Sequence, residues 1–120
     1  MKGFFITIDQ GTTSTRAILY DDKINKVDFT QVELTQYYPE EGWVEHDLEE
    51  TWLSVVSCVS NLIKNNSLKP EEVVSIGITN QRETVAIWDK KTLKPLFRAI
   101  VWQDRRTSNY CQKMKEEGIE

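Results

Sequence analysis

The sequence has only two cysteines, Cys58 and Cys111, and no Cys-x-x-Cys or Cys/His set at metal-ligand spacing. That excludes a disulfide scaffold and a zinc module, and the expectation is two reduced thiols in a cytoplasmic protein. Three prolines and five glycines in 120 residues are too few for collagen or low-complexity disorder. No apolar run approaches the roughly 18–20 residues that span a bilayer, so no membrane insertion is expected. Lys and Arg total 15 against 19 Asp and Glu, and the net charge of -4 argues against a nucleic-acid partner. The opening Met1-Lys2-Gly3-Phe4-Phe5-Ile6-Thr7-Ile8-Asp9 is too short and too soon acidic for a secretory signal. What is present, 39% hydrophobic and 28% charged residues, suits one soluble domain with its own core.

Hydrophobic patterning predicts an α/β chain. Phe4 to Ile8 is a short β-rich apolar run ending at Asp9, and Arg16 to Tyr20 is a second. A polar turn, Gln10 to Ser14, joins them so closely that the simplest pairing is an antiparallel hairpin. Val27 to Leu34 reads as a third, edge-like strand. Leu48, Trp52, Val55, Val56, Val59, Leu62 and Ile63 then recur as one helical face. Asp47, with Glu50 three residues on, has the character of a capping box, and Asn65-Asn66 closes the helix. Pro70-Glu71-Glu72 can start a single helical turn. Val73 to Thr79, Val85 to Trp88 and Ala99 to Trp102 read as strands. Asp104 to Glu117 reads as a mostly solvated helix stopped by Gly118. The chain closes on Ile119-Glu120 after that helix, which predicts a piece cut from a longer domain.

Three segments could carry chemistry. In Asp9-Gln10-Gly11-Thr12-Thr13-Ser14-Thr15-Arg16, a carboxylate ends a buried strand, where a hydrated cation is a usual partner. A glycine, four consecutive hydroxyl residues and Arg16 follow, the makings of an anion cradle. The plainer alternative is an ordinary hairpin turn. There is no Walker A pattern and no lysine in the segment. In Asn80-Gln81-Arg82-Glu83, paired donors and acceptors suit the hydroxyls of a small polyol, and a surface turn with a local ion pair is the alternative. Trp102, opening Trp102-Gln103-Asp104-Arg105-Arg106, could pack its indole on a polyol's carbon side or fill the core. Gly42-Trp43-Val44-Glu45-His46-Asp47 holds the one histidine, whose place before a helix suggests a structural lead-in rather than a base. Cys58 falls on the fringe of the helix stripe and is expected in the core.

Residues 9–16 resemble the phosphate-1 loop of the sugar-kinase (FGGY) family, within the actin/hexokinase/Hsp70 ATPase superfamily. Residues 42–47, 77–83 and 99–106 look like motifs of its glycerol-phosphorylating branch, in the right order and at similar spacing. Thr15 stands where a second serine is common, which keeps the hydroxyl. The resemblance covers essentially the whole chain. It implies an RNase H-like, actin-like N-terminal domain: a mixed sheet that begins with an antiparallel phosphate-binding hairpin and is packed by helices. Residues 1–120 would be the first part of that domain, with the phosphate-1 loop at 9–16 and polyol-contact segments at 80–83 and 102–106.

The resemblance also assigns roles. Thr12, Thr13 and Ser14 would donate to the γ-phosphoryl region of ATP, with Arg16 near the nucleotide phosphates. Asp9 would hold Mg²⁺ through water. Arg82 and Glu83 would bind glycerol hydroxyls, and Trp102 would pack on the carbon edge. The general base and the adenine pocket would lie beyond Glu120. Implied partners are glycerol and ATP/ADP, with homo-oligomerisation of the complete enzyme and self-association of the piece. A kinase for another polyol or sugar, and a non-catalytic nucleotide-binding module, remain the alternatives.

Overall fold

A computed structural model describes residues 3–119. Its main sheet contains β1 (Phe4–Gln10), β2 (Ser14–Tyr20), β3 (Lys26–Glu33) and β5 (Val73–Thr79), in the order β3-β2-β1-β5. β1 and β2 form the expected antiparallel hairpin, with Ile6 opposite Leu19 and Ile8 opposite Ala17. Side chains alternate across a strand. These four residues therefore share one face, and all are buried.

α1 (Leu48–Asn65) lies on that face and supplies the crossover between β1 and its parallel neighbour β5. Cys58 and Leu62 complete the core, at 1% and 0% exposure. The helix starts where Asp47 Oδ1 accepts from the Glu50 amide at 3.0 Å. The reciprocal half of the capping box does not form. The Glu50 carboxylate instead accepts from the Thr35 amide at 2.8 Å and the Tyr37 hydroxyl at 3.0 Å. Those two bonds hold the Glu50 carboxyl below its ordinary pKa. The buried stripe of α1 is also rotated from the expected one. Ser54, Cys58 and Leu62 face the sheet, whereas Trp52 stays 61% exposed. Ser54 is admitted to the core because its hydroxyl meets that of Thr15 on β2 at 2.6 Å.

After a single 3₁₀ turn at Pro70–Glu72, β5 adds to the sheet beside β1, with Val73 at its start packed against the core and most of the strand outside the cover of α1. Ile76 and Ile78 are in register with Ile6 and Ile8 but are 50% and 74% exposed. A second, smaller sheet pairs β4 (Glu45–His46) with β6 (Ala99–Ile100). The strands expected over Val85 to Trp88 and Ala99 to Trp102 shrink to this ladder and to single bridges, Val85 with Ile100 and Trp88 with Pro95. Residues 85–89 change partner part-way, pairing first with Ile100 and then with the 94–96 segment. Neither ladder gains enough consecutive bonds to be a strand.

The final helix, α2 (Ser108–Glu116), buries no residue and ends before Gly118, which adopts φ +73°. It starts four residues later than expected, because the Asp104 carboxylate captures the Arg106 amide at 2.8 Å and holds 104–107 in a turn.

Candidate functional site

The turn between β1 and β2 is closed by the Gly11 amide donating to the Ser14 carbonyl at 3.0 Å. A Cβ at Gly11 would lie 3.0 Å from that same oxygen, a tight contact that glycine avoids. The four hydroxyl residues divide their work. Thr15 is fully buried, bridging Gln10 Oε1 at 3.0 Å and Ser54. It anchors the turn to α1. Thr12, Thr13 and Ser14 are left on the outer side of the turn, Thr13 exposed and the other two partly so. Asp9 and Arg16 are cross-strand neighbours on the open face of the sheet. Arg16 donates twice to Gln31 Oε1, at 3.0 and 2.8 Å, whereas the Asp9 carboxylate has no hydrogen-bond or ion-pair partner among the described residues.

β5 delivers Asn80-Gln81-Arg82-Glu83 beside this turn, because β5 runs parallel to β1 and the two strands end together. A cleft of about 420 Å³ forms there, lined by Gly11, Thr12, the tetrad and Trp102. Among the described residues Arg82 and Glu83 pair neither with each other nor with another side chain. Glu83 adopts φ +62°, a left-handed backbone that is costly for a non-glycine residue. Trp102 is half exposed, and its indole N–H donates to Thr12 Oγ1 at 2.9 Å. Among the described residues Trp102 is therefore not part of the core. The cleft unites Thr12, Arg82, Glu83 and Trp102; Asp9, Thr13, Ser14 and Arg16 do not line it.

Asp104 and Arg106 have a different task. Asp104 accepts from the Val44 amide at 2.7 Å and from Arg106 Nη2 at 2.8 Å, and Arg106 also reaches Glu45 at 2.9 Å. The guanidinium lies 3.8 Å over the Trp43 ring. These hydrogen bonds lower the Asp104 pKa to about 2. The clamp holds β4 beside β6. It also sets His46, which is 2% exposed, between Gln36 Oε1 at 2.8 Å and Gln81 Nε2 at 3.1 Å. Gln36 in turn donates to the Thr12 carbonyl at 3.0 Å. Sequence reading singled out neither Gln36 nor this chain of bonds; their partners are distant in sequence and leave no local pattern.

The model of the FGGY family of carbohydrate kinases, N-terminal domain, matches residues 4–120. The chain belongs to this family. A glycerol kinase of Rhizobium rhizogenes (strain K84 / ATCC BAA-868) is 51% identical over the whole chain, and one of Coxiella burnetii (strain RSA 493 / Nine Mile phase I) is 50% identical over 98% of it. The chain spans 24% of the length of each. The crystal structure of Plasmodium falciparum glycerol kinase with ADP superposes on 97% of this chain at a TM-score of 0.86 and 36% identity, over 23% of that protein. A gluconate kinase from Lactobacillus acidophilus superposes at 0.89 with 20% identity, which speaks to fold alone. The FGGY resemblance and the actin-like α/β fold expected from it both hold.

Proposed function

We propose that the protein to which this chain belongs is an ATP-dependent glycerol kinase, forming sn-glycerol 3-phosphate and ADP. The observation that carries this reading is the cleft in which unpaired Arg82 and Glu83 face the hydroxyl turn at Thr12. An arginine and a carboxylate left free side by side supply donors and acceptors for the two-way hydrogen bonding of a polyol. An outward hydroxyl turn at a strand end supplies donors for phosphate. The relatives named glycerol kinase, and the one solved with ADP, support both assignments.

In this mechanism Arg82 and Glu83 orient glycerol, and Trp102 covers its carbon edge. Thr12, Thr13 and Ser14 orient the γ-phosphoryl group, with Arg16 beside the phosphates. A glycerol oxygen bonds to the γ-phosphorus, the bond from phosphorus to the β–γ bridging oxygen breaks, and ADP leaves. The hydroxyl proton passes to a carboxylate expected beyond Glu120. The protein contributes positioning and charge neutralisation. Asp9 fits Mg²⁺ as one free carboxylate on the open face, since Mg²⁺ is usually held by one or two carboxylates together with substrate phosphates. The ion would supply neutralisation of phosphate charge. The two unbridged thiols support a cytoplasmic setting, and homo-oligomerisation of the complete enzyme belongs to the same reading.

Steady-state kinetics of the complete protein, with glycerol, xylulose and gluconate as rival acceptors, test the reading. Glycerol is expected to give the highest kcat/KM. Arg82→Ala is expected to lower that value by about 1–3 kcal/mol of transition-state binding, mainly through KM. Preference for another acceptor, or nucleotide binding without transfer, overturns the assignment.

A further inference from the structure

We infer that His46 is a positioning residue whose imidazole fixes the hydroxyl turn at Thr12 against the Asn80–Glu83 tetrad. The inference rests on the reading that the cleft brings a phosphoryl donor to a polyol. His46 does not line the cleft, so it acts through its neighbours. Those neighbours select one tautomer of the neutral ring. The Gln36 amide group donates to the carbonyls of Thr12 at 3.0 Å and Leu34 at 3.1 Å, so Gln36 Oε1 can only accept. His46 Nε2, 2.8 Å away, therefore carries the ring proton. On the other side Gln81 Oε1 accepts from the Thr84 hydroxyl at 3.0 Å, while the Gln81 amide group faces His46. His46 Nδ1 accepts from it at 3.1 Å with its lone pair. A neutral ring in a single tautomer satisfies every group, and burial, lowering its pKa against the pull of Glu50, favours that neutral form.

The result is a continuous path, Thr12 to Gln36 to His46 to Gln81, beneath the cleft. Above it, the Trp102 indole closes onto the Thr12 hydroxyl. The first and last residues of the path line the cleft, one on the hydroxyl turn and one on the tetrad. A rigid imidazole between two amides therefore sets the separation of those two elements. Alignment is what phosphoryl transfer depends on, and misplacement by about 1 Å costs about 10²-fold. A histidine that only filled the core would affect the folded fraction and not this alignment.

The test uses the complete protein, with active sites counted by stoichiometric nucleotide binding so that misfolded material does not enter kcat. His46→Ala is expected to lower kcat about 10- to 100-fold, with KM for ATP and acceptor within about threefold of the original. His46→Gln, which keeps one donor and one acceptor, is expected to recover most of that loss. Unchanged kcat in His46→Ala, a loss confined to KM, or a glutamine variant no better than alanine overturns the inference. Nitrogen-15 labelling of histidine in the wild-type protein gives a readout that needs neither turnover nor a variant that folds. Its spectra should show a protonated Nε2 and a bare Nδ1, and adding ADP should shift the Nε2 resonance, the nitrogen that faces Gln36 and the Thr12 end of the path. An Nε2 signal that ignores ADP overturns the inference. A wild-type protein that fails to phosphorylate glycerol while its Nε2 signal still responds overturns the functional reading and leaves the positioning role standing.

Discussion

Thr12 is the residue on which the two halves of the cleft converge, its backbone carbonyl held by Gln36 and its hydroxyl by Trp102. Thr13, next to it, is exposed, and its carbonyl accepts from the Leu34 amide at 2.9 Å. The two residues therefore separate structure from chemistry. Thr13→Val preserves β-branching and the backbone bond and removes only the hydroxyl. In the complete enzyme it should lower kcat at saturating ATP by about 10²-fold, the loss typical of one donor aimed at developing charge. The glycerol KM should stay within about threefold. Normal ATP kinetics in that variant would reduce the outward hydroxyls to hairpin closure. The adjacent Thr15 shows why sequence alone cannot divide such a run. Four hydroxyls in a row look alike until the strand's alternation turns one of them into the core against Ser54.

At the scale of elements, α1 decides how the hairpin is held. Its packing on β1 and β2 centres on Leu62, which is fully buried among Ile6, Leu19 and Cys58. Leu62→Ala should destabilise the protein by about 2–5 kcal/mol, read as a lowered denaturant midpoint at unchanged slope. The helix itself was legible in the sequence, from Asp47 at its start to Asn66 at its end. Its rotation was not. Hydrophobic periodicity places Trp52 on the inner face, yet the bond between Ser54 and Thr15 brings a serine there and leaves Trp52 in solvent. Burial follows the partner that satisfies a polar group as much as apolar character, and that partner is 39 residues away.

For the molecule as a whole, Asp104 is the clamp between the segment that carries His46 and the segment that carries Trp102. Its carboxyl is lowered from 3.8 to about 2 by hydrogen bonds from Arg106, with further bonds from the backbone amides of Arg106 and Val44. A folded-state pKa below the unfolded one means that the folded chain favours the carboxylate. The stabilisation is complete above about pH 4 and disappears as pH falls through about 2. Asp104→Asn should therefore lower Tm at pH 7, and the gap between variant and original should narrow between about pH 4 and pH 2. Thermal melts by circular dichroism across that range check both the size and the sign. A gap independent of pH would mean that the residue's shape, not its charge, joins the segments.

The sequence by itself determined the strands of the main sheet and the helix packed on it, the polar turn between the first two strands, and the family. Each of these is a local pattern: alternation at a period of two, a helical stripe, a glycine among hydroxyls. The tertiary structure alone decided which of the marked residues meet. It gave Asp104 and Arg106 to a clamp and not to the cleft. It joined Trp102 to Thr12 across 90 residues and set His46 between two glutamines. The physical reason is that a polar side chain entering the interior must take whichever partner the packing brings to it. That choice is made by the meeting of distant strands, and no stretch of neighbouring residues encodes it.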